Sequence, residues 1–206
     1  SKEASLMPMQ LLRIAQMLRC ARLFQKYVGN KADEQSYRVL EDICIGIVPI
    51  KKLEDEIFIA IISDEEISDR ASSLLFSLRK SLKEKNASVK DKVTSLVRSN
   101  AKYLQESLYT IRGDRYVIPV KIEHKGSVPG IVHDQSSSGA TLFIEPMSLV
   151  NLNNEIKEIM LKEKAEVERI LAELSYKIYE NINIVGNNAN IVWELDFIFA
   201  KAGYAI

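Results

Sequence analysis

The chain has 206 residues, 47% of them hydrophobic, and its 28 Lys and Arg side chains balance 28 Asp and Glu side chains. This composition supports a folded core, and a net charge of zero excludes a global field that would attract nucleic acid or anionic membranes. The apolar runs at residues 43–48 and 57–62 are shorter than the roughly 18 residues that cross a bilayer, so no membrane partner is expected. Cys20 and Cys44 lie in apolar helical patterns without paired ligand spacing, which indicates core packing in a reducing, cytoplasmic compartment.

The first part of the chain and its last stretch are predicted to form a helical core. Apolar residues at helical spacing predict helices over residues 6–28 and 33–47, and a third helix that Pro49 introduces and that ends near residue 63. A final apolar helix over residues 188–202 contains Trp193, and the aromatic residues around it are most simply interpreted as core. We therefore assign residues 1–63 and 184–206 to the helical core.

Two longer amphipathic helices are predicted between these segments. An apolar stripe over residues 64–105 predicts one helix about 60 Å long at 1.5 Å per residue, unless residues 83–88 break it. Such a helix should project from a compact globule of this size. Residues 147–183 return to helical spacing, with Glu and Lys on the other faces, as is typical of an antiparallel two-stranded seam.

The segment between the long helices has the pattern of β-strands. Two runs rich in Val, Ile, Thr and Tyr flank Gly113-Asp114, a dipeptide typical of two-residue hairpins. Pro119 cannot donate to a ladder, so its strand should lie at an edge or be bulged. GIVHDQ and ATLFIEP, which flank SSSG, predict a second hairpin. The expected fold class is therefore mainly α, a helical core with a long antiparallel helical hairpin that is capped by a small antiparallel sheet in residues 106–146.

Charge is distributed unevenly along the sequence. Residues 53–69 contain seven acidic and no basic residues, whereas residues 79–126 contain twelve basic and five acidic residues, an excess of +7. Lysines on a long exposed helix are often no more than a solvated face. The asymmetry nevertheless favours a surface on the capping segment that binds a phosphate backbone without reading bases. The candidate contacts are Lys102, Arg112, Arg115, Lys121 and Lys125.

The sequence contains no common catalytic motif. A P-loop, a Gly-x-Ser-x-Gly elbow and a His-Glu-x-x-His motif are all absent. His124 and His133, with Asp134 and Glu145 nearby, could be considered as a metal or acid–base site, but two histidines without a third defined ligand fall short of a metal signature. The serines at 136–138 are better explained as turn residues than as nucleophiles. We therefore predict no catalytic and no metal-binding residues.

Three blocks of sequence carry a resemblance to a known family. TIRGDRYVIPVKIEHKGSVPGIVHDQSSSGATLFIEP, followed by LNNEIKEIMLKEKAEVERIL and ELDFIFAKAGYA, resembles the core, lever and clamp region of the second bacterial branch of MutS homologues. That branch is associated with suppressing recombination instead of mismatch repair. EISDRASSLLFSLRKSLKEKNASVK is similar to the outgoing lever of the same family. In this interpretation residues 64–105 and 147–183 are lever helices, and residues 106–146 form the β-rich clamp.

The resemblance implies a function that spacing alone does not show. It implies that the clamp closes around DNA, branched or duplex, in a homodimer of the full-length parent protein. It also implies that the parent carries a P-loop ATPase domain, which uses ATP and Mg²⁺, and usually a small Smr nuclease-type domain. Neither domain is present in these residues, so we expect no enzymatic activity and no cofactor in this chain. The aromatic wedge of the mismatch-repair branch has no counterpart here.

Other ligands and functions stay open at this point. The family is also linked to the rescue of collided ribosomes, so the sequence does not choose between DNA and the ribosome. The order helix, β-hairpins, helix also occurs in prefoldin-like chaperone or adaptor arms, which need exposed apolar surface at the helix tips. An enzyme built around His124 and His133 is the third alternative.

Overall fold

The computed structural model describes residues 5–30 and 38–204, which divide into two compact units. The helical unit comprises the described residues up to Leu75 and from Glu166 onward, and the clamp unit comprises Phe76–Ala165. The expected fold class is confirmed, since long helices are combined with one small antiparallel sheet.

The helical unit is built around its first helix. Helix α1 (Pro8–Gly29) packs against α2 (Arg38–Cys44), α3 (Lys51–Ala60) and α6 (Ile182–Tyr204). The predicted second helix over residues 33–47 ends earlier, and its positions 33–37 lie outside the described residues. Leu11, Ile57 and Leu174 are buried in the core of this unit. The Cys44 thiol is also buried there, and burial raises its pKa.

One carboxylate of the predicted acidic stretch is buried in this unit. The Glu54 side chain is 1% exposed and accepts hydrogen bonds from Arg22 Nε at 2.9 Å and Arg19 Nε at 3.0 Å. The hydrogen bond from Arg22 is the main reason why the pKa of Glu54 lies below its ordinary value, although burial opposes it. Glu54 therefore belongs to a buried ion-pair cluster.

The first long helix is shorter than predicted. Helix α4 spans Ser73–Ser99 and runs without a break through residues 83–88. The residues before it form a 3-10 turn at Asp69–Ala71 instead of extending the helix. The reason is local capping, because Ser72 Oγ accepts a hydrogen bond from the backbone amide of Leu75 at 2.9 Å and so fixes the helix start. A further 3-10 turn at Ala101–Tyr103 follows the helix.

The second long helix, α5 (Met147–Glu180), runs antiparallel to α4. Within the clamp unit, Arg79 Nε donates to Glu163 Oε1 at 2.8 Å and Lys85 forms an ion pair with Glu155. Within the helical unit, Ser72 Oγ donates to Glu166 Oε1 at 2.7 Å. Along these pairs, the residue number on α5 falls as the residue number in or just before α4 rises. This is what two antiparallel helices require.

Four strands form the sheet of the clamp unit. They are β1 (Thr110–Arg112), β2 (Arg115–Lys121), β3 (Gly130–Gln135) and β4 (Thr141–Pro146), in the antiparallel order β1-β2-β4-β3. Both predicted hairpins are present. Gly113 and Asp114 have φ values of 56° and 63°, the positive pair that a type I′ turn requires.

Pro119 lies in an inner strand, not at the edge of the sheet. Strand β2 pairs with β1 only as far as Val117, so position 119 has no β1 partner beside it. The Pro119 carbonyl instead accepts a hydrogen bond from the Gln105 amide at 2.9 Å. The missing proline donor therefore faces the segment before β1, where only an isolated bridge between Leu104 and Val120 continues the pairing, which explains why the strand tolerates it.

The interpretation of the last helix as wholly core is wrong for its aromatic residues. In α6, Trp193 is 76% exposed and Phe197 is 59% exposed, whereas Leu195 is 1% exposed. Residues two apart on an α-helix lie about 200° apart around its axis. Because Leu195 packs with Ala21 and Val28 of α1, its neighbours at 193 and 197 point away from that contact.

Candidate nucleic-acid interface

Strand alternation defines the face of the sheet that turns away from α4 and α5. Successive side chains of a strand point to opposite faces. On β2, Tyr116, Ile118 and Val120 are buried in the core that the sheet shares with both helices. The residues that alternate with them, together with cross-strand partners, belong to the opposite face, which we call the outer face: Thr110, Arg112, Val117, Pro119, Lys121, Thr141 and Phe143. Val117, Pro119 and Thr141 are nevertheless buried.

Arg112, the last residue of the edge strand β1, extends its side chain over the outer face. Its guanidinium carbon lies 4.3 Å from the centroid of the Phe143 ring, a cation–π contact. Its Nε also lies 3.2 Å from Asp134 Oδ2. The Arg112 side chain is 40% exposed, so it is accessible to a ligand, but the carboxylate of Asp134 offsets part of its charge.

Arg115 is occupied by contacts inside the clamp unit. Its Nη1 donates to Glu145 Oε1 at 2.8 Å, and its Nη2 donates to Asn154 Oδ1 at 2.7 Å. Glu145 is fully buried. The charge of Arg115 is therefore needed to balance a buried carboxylate, and the guanidinium has a structural role that the sequence did not indicate.

Two further side chains complete the surroundings of Glu145. Asn153 Nδ2 donates to Oε1 at 2.7 Å, and His133 Nε2 lies 2.5 Å from Oε2. Burial acts to raise the pKa of Glu145, but the hydrogen bonds from Asn153, His133 and Arg115 outweigh it and hold the pKa below its ordinary value. The carboxylate is thus held in its charged form and ties α5 to both hairpins.

The three lysines of the predicted site lie near one end of the sheet. Lys121 ends β2, and Lys125 lies in the 3-10 segment Ile122–Ser127 that follows. Lys102 Nζ lies 4.7 Å from the Tyr103 ring centroid, and that ring lies 5.3 Å from the ring of His124 in the same segment. In the part of the chain that the structure describes, none of the three lysines has an acidic partner within ion-pair distance.

The two histidines of the alternative enzyme hypothesis make different contacts in the structure. His133 contacts Glu145, whereas His124 packs against Tyr103. Among the described residues, no group of three or more His, Cys, Asp and Glu side chains could hold a metal ion. Ser136 belongs to the hairpin turn, where its Oγ accepts a hydrogen bond from the Thr141 amide at 3.0 Å.

A groove of about 320 Å³ opens on the outer face of the sheet. We call it the outer-face groove, and its lining includes Gln105, Glu106, Thr110, Arg112 and Phe143. Sequence reasoning did not assign Phe143 a role. The alternation in ATLFIEP could have indicated it, because Leu142 and Ile144 are the inward positions and Phe143 must then face outward.

The described residues include no helix that is both long and apolar enough to cross a lipid bilayer. A comparison with protein-family models finds no match to this chain.

Several curated proteins that are similar to this chain carry the same name. The chain is 68% identical over 204 residues to proteins named Endonuclease MutS2 from Clostridium botulinum (strain Loch Maree) and Clostridium acetobutylicum, and the match covers 99% of this chain. A protein of the same name from Clostridium kluyveri is 63% identical over 98% of this chain. In each case the match covers 26% of the relative, so the chain spans about a quarter of the length of these proteins.

Proposed function

Because the chain belongs to the MutS2 branch of the MutS family and corresponds to one segment of those proteins, we propose that it is a non-catalytic lever and clamp segment. In this proposal its clamp unit binds the phosphate backbone of branched or duplex DNA, largely without sequence specificity. The activity would contribute to the suppression of recombination by the parent protein.

The observation that carries the proposal is the state of the basic side chains in the clamp unit. Arg79 and Arg115 contact Glu163 and Glu145 of the unit itself. Lys102, Lys121 and Lys125, by contrast, lie near one end of the sheet without an acidic partner among the described residues. Uncompensated cations that lie together at one end of the sheet are what a phosphate backbone needs for sequence-independent binding.

The catalytic functions of the parent are proposed to lie outside these residues. The similar proteins are named endonucleases, and the chain covers 26% of their length. The sequence contains no P-loop, so ATP and Mg²⁺ are proposed for the parent alone, together with the nuclease activity and homodimer formation. This division gives the present chain a binding role and no hydrolytic step.

A ribosomal ligand presents the same phosphate chemistry as DNA, and binding to duplex RNA is the result that would indicate it. The prefoldin-like alternative has less support. It needs apolar surface at the tips of the helices. The clamp unit exposes Leu108, Ile111 and Ile122 by about half, so suppression of the aggregation of an unfolded client by this chain would favour that alternative.

The test is salt-dependent binding of the 206-residue chain to fluorescent duplex DNA and duplex RNA. Replacing Lys102, Lys121 and Lys125 together by Gln should weaken binding to all sequences alike. It should also reduce the slope of log K against log salt by about 0.9 per lost phosphate contact. A control with the same loss of charge carries Gln at Lys26, Lys52 and Lys201 of the helical unit.

Two results would count against the proposal. Equal weakening by the test and control variants would mean that only net charge matters, which contradicts a local site. No binding of either duplex by the unmodified chain would contradict backbone binding itself. Binding to RNA alone would replace DNA by the ribosome as the ligand.

A further inference from the structure

We propose that the outer-face groove binds one unpaired nucleobase while the neighbouring lysines hold the backbone on either side of it. This inference rests on the proposed function and adds a ligand class to it, namely a nucleic acid that contains an unstacked base.

The size of the groove fits a single heterocycle. Its volume of about 320 Å³ is at the lower end of the range for small-molecule pockets, about 300–1,000 Å³. Its lining combines Pro119, Thr141 and Phe143 of the sheet with Gln105 and Leu108 of the segment before β1. A duplex cannot enter such a groove, whereas a base rotated out of its stack can.

The charges around the groove favour a neutral base over a phosphate. Arg112 is the one cationic residue that lines it, and its guanidinium is already paired with Asp134. Glu106 places a carboxylate in the lining itself. A phosphate would therefore meet two carboxylates for one guanidinium, whereas a neutral heterocycle meets no such repulsion.

The stacking surface is the contact between Arg112 and Phe143. Nucleobases stack on guanidinium planes as well as on aromatic rings. The Arg112 guanidinium already lies over the Phe143 ring, 4.3 Å from its centroid, so a base stacks on the free plane of Arg112, which the ring supports from the other side. Phe143 is half-buried, so part of its side chain is accessible. Such stacking tolerates every base, which agrees with binding that does not read sequence.

Polar groups in the lining can form hydrogen bonds with the edge of a base. The exposed Gln105 side chain supplies both a donor and an acceptor, and Thr110 supplies a hydroxyl. Lys121 pairs in register with Thr141, which lines the groove. A phosphate held by Lys121 therefore lies next to the groove, at the position from which its own base can enter.

The experiment uses the 206-residue chain and two duplexes that differ by one base. One duplex carries a bulged 2-aminopurine, whose fluorescence changes on stacking, and the other carries a bulged abasic residue. The 2-aminopurine duplex should bind about tenfold more tightly, as stacking of one base implies, and its fluorescence should fall on binding. DNA and RNA versions of both probes distinguish the source of the base.

The variant Phe143→Leu keeps an apolar side chain but removes the ring on which the Arg112 guanidinium lies, so it should abolish both the tenfold preference and the fluorescence change. Phe197→Leu, at an exposed site on α6, is the matched control and should retain both. Gln105→Ala, at an exposed position, provides a second variant that should reduce the preference without disturbing the core.

Equal affinity of the unmodified chain for the two bulged duplexes, in DNA and in RNA, would overturn the groove proposal and leave backbone binding intact. A preference that survives Phe143→Leu would also overturn it. Failure to bind any probe would overturn both proposals together.

Discussion

The substitution Glu145→Gln removes one buried charge without changing the size of the side chain. Glu145 is fully buried and accepts hydrogen bonds from Arg115 and Asn153, with His133 at 2.5 Å. A glutamine at this position turns one acceptor into an NH₂ group that must face one of these donors. It also leaves the guanidinium of Arg115 without its counter-charge.

The expected loss of stability follows from these contacts. Breaking a buried ion pair from one side costs about 3–5 kcal/mol. The Arg115 side chain is 25% exposed, so water can solvate it in part, and the lower end of the range applies. We expect Glu145→Gln to destabilise the clamp unit by about 3 kcal/mol.

Hydrogen exchange of the β2 and β4 amides measures this loss, because it reports on the clamp unit without averaging over the helical unit. Glu158→Gln is the control, since Glu158 forms an exposed pair with Lys162 on the same helix, and it should leave the exchange of these amides unchanged. In a double-mutant cycle, the combination with Arg115→Gln should cost less than the sum of the two single changes. A loss below about 1 kcal/mol for Glu145→Gln, or additive effects in the cycle, would refute the reasoning.

Three further predictions concern other sites. Glu54→Gln should destabilise the helical unit by about 2–3 kcal/mol, since Arg19 and Arg22 lose the buried partner that they share. Hydrogen exchange of the α1 and α3 amides measures this loss, and unchanged protection contradicts it. Arg169 lowers the pKa of Glu166 to about 2 from an ordinary 4.5, so its contribution is complete above pH 4.5 and is lost as the pH falls towards 2. Acid unfolding of the helical unit should therefore be less steep in Glu166→Gln, and identical profiles would contradict this. In Gly130→Ala the new Cβ would lie 2.3 Å from the Glu145 carbonyl oxygen, which should cost about 1–3 kcal/mol in the same exchange assay, and wild-type protection would contradict the clash.

Local signals made the sheet predictable. Gly113-Asp114 specifies its turn through positive φ values, and alternation in the flanking runs specifies which side chains face inward. The start of α4 also has a local signal, but the apolar spacing continues on both sides of it and predicts a longer helix. Ser72 is a capping residue in front of the apolar run, and periodicity alone extends a helix past such a cap.

Contacts between distant residues were not predictable from the sequence. Arg115 looked like a free surface cation until the sheet order placed it beside Glu145, 30 residues away. Glu54 looked like one of seven solvated acids until α1 supplied Arg19 and Arg22. The apolar pattern of α6 likewise did not show which side would be covered, so Trp193 was placed in the core although it is exposed.

The most direct test of the account is lysine footprinting of the chain with and without duplex nucleic acid. Reductive methylation followed by peptide mass spectrometry measures the reactivity of each amine. Bound duplex should lower the methylation of Lys102, Lys121 and Lys125, whereas Lys52 and Lys201 in the helical unit should react as they do in the free chain. Equal reactivity of all five lysines in a complex that is shown to have formed would contradict a backbone-binding site on the clamp unit.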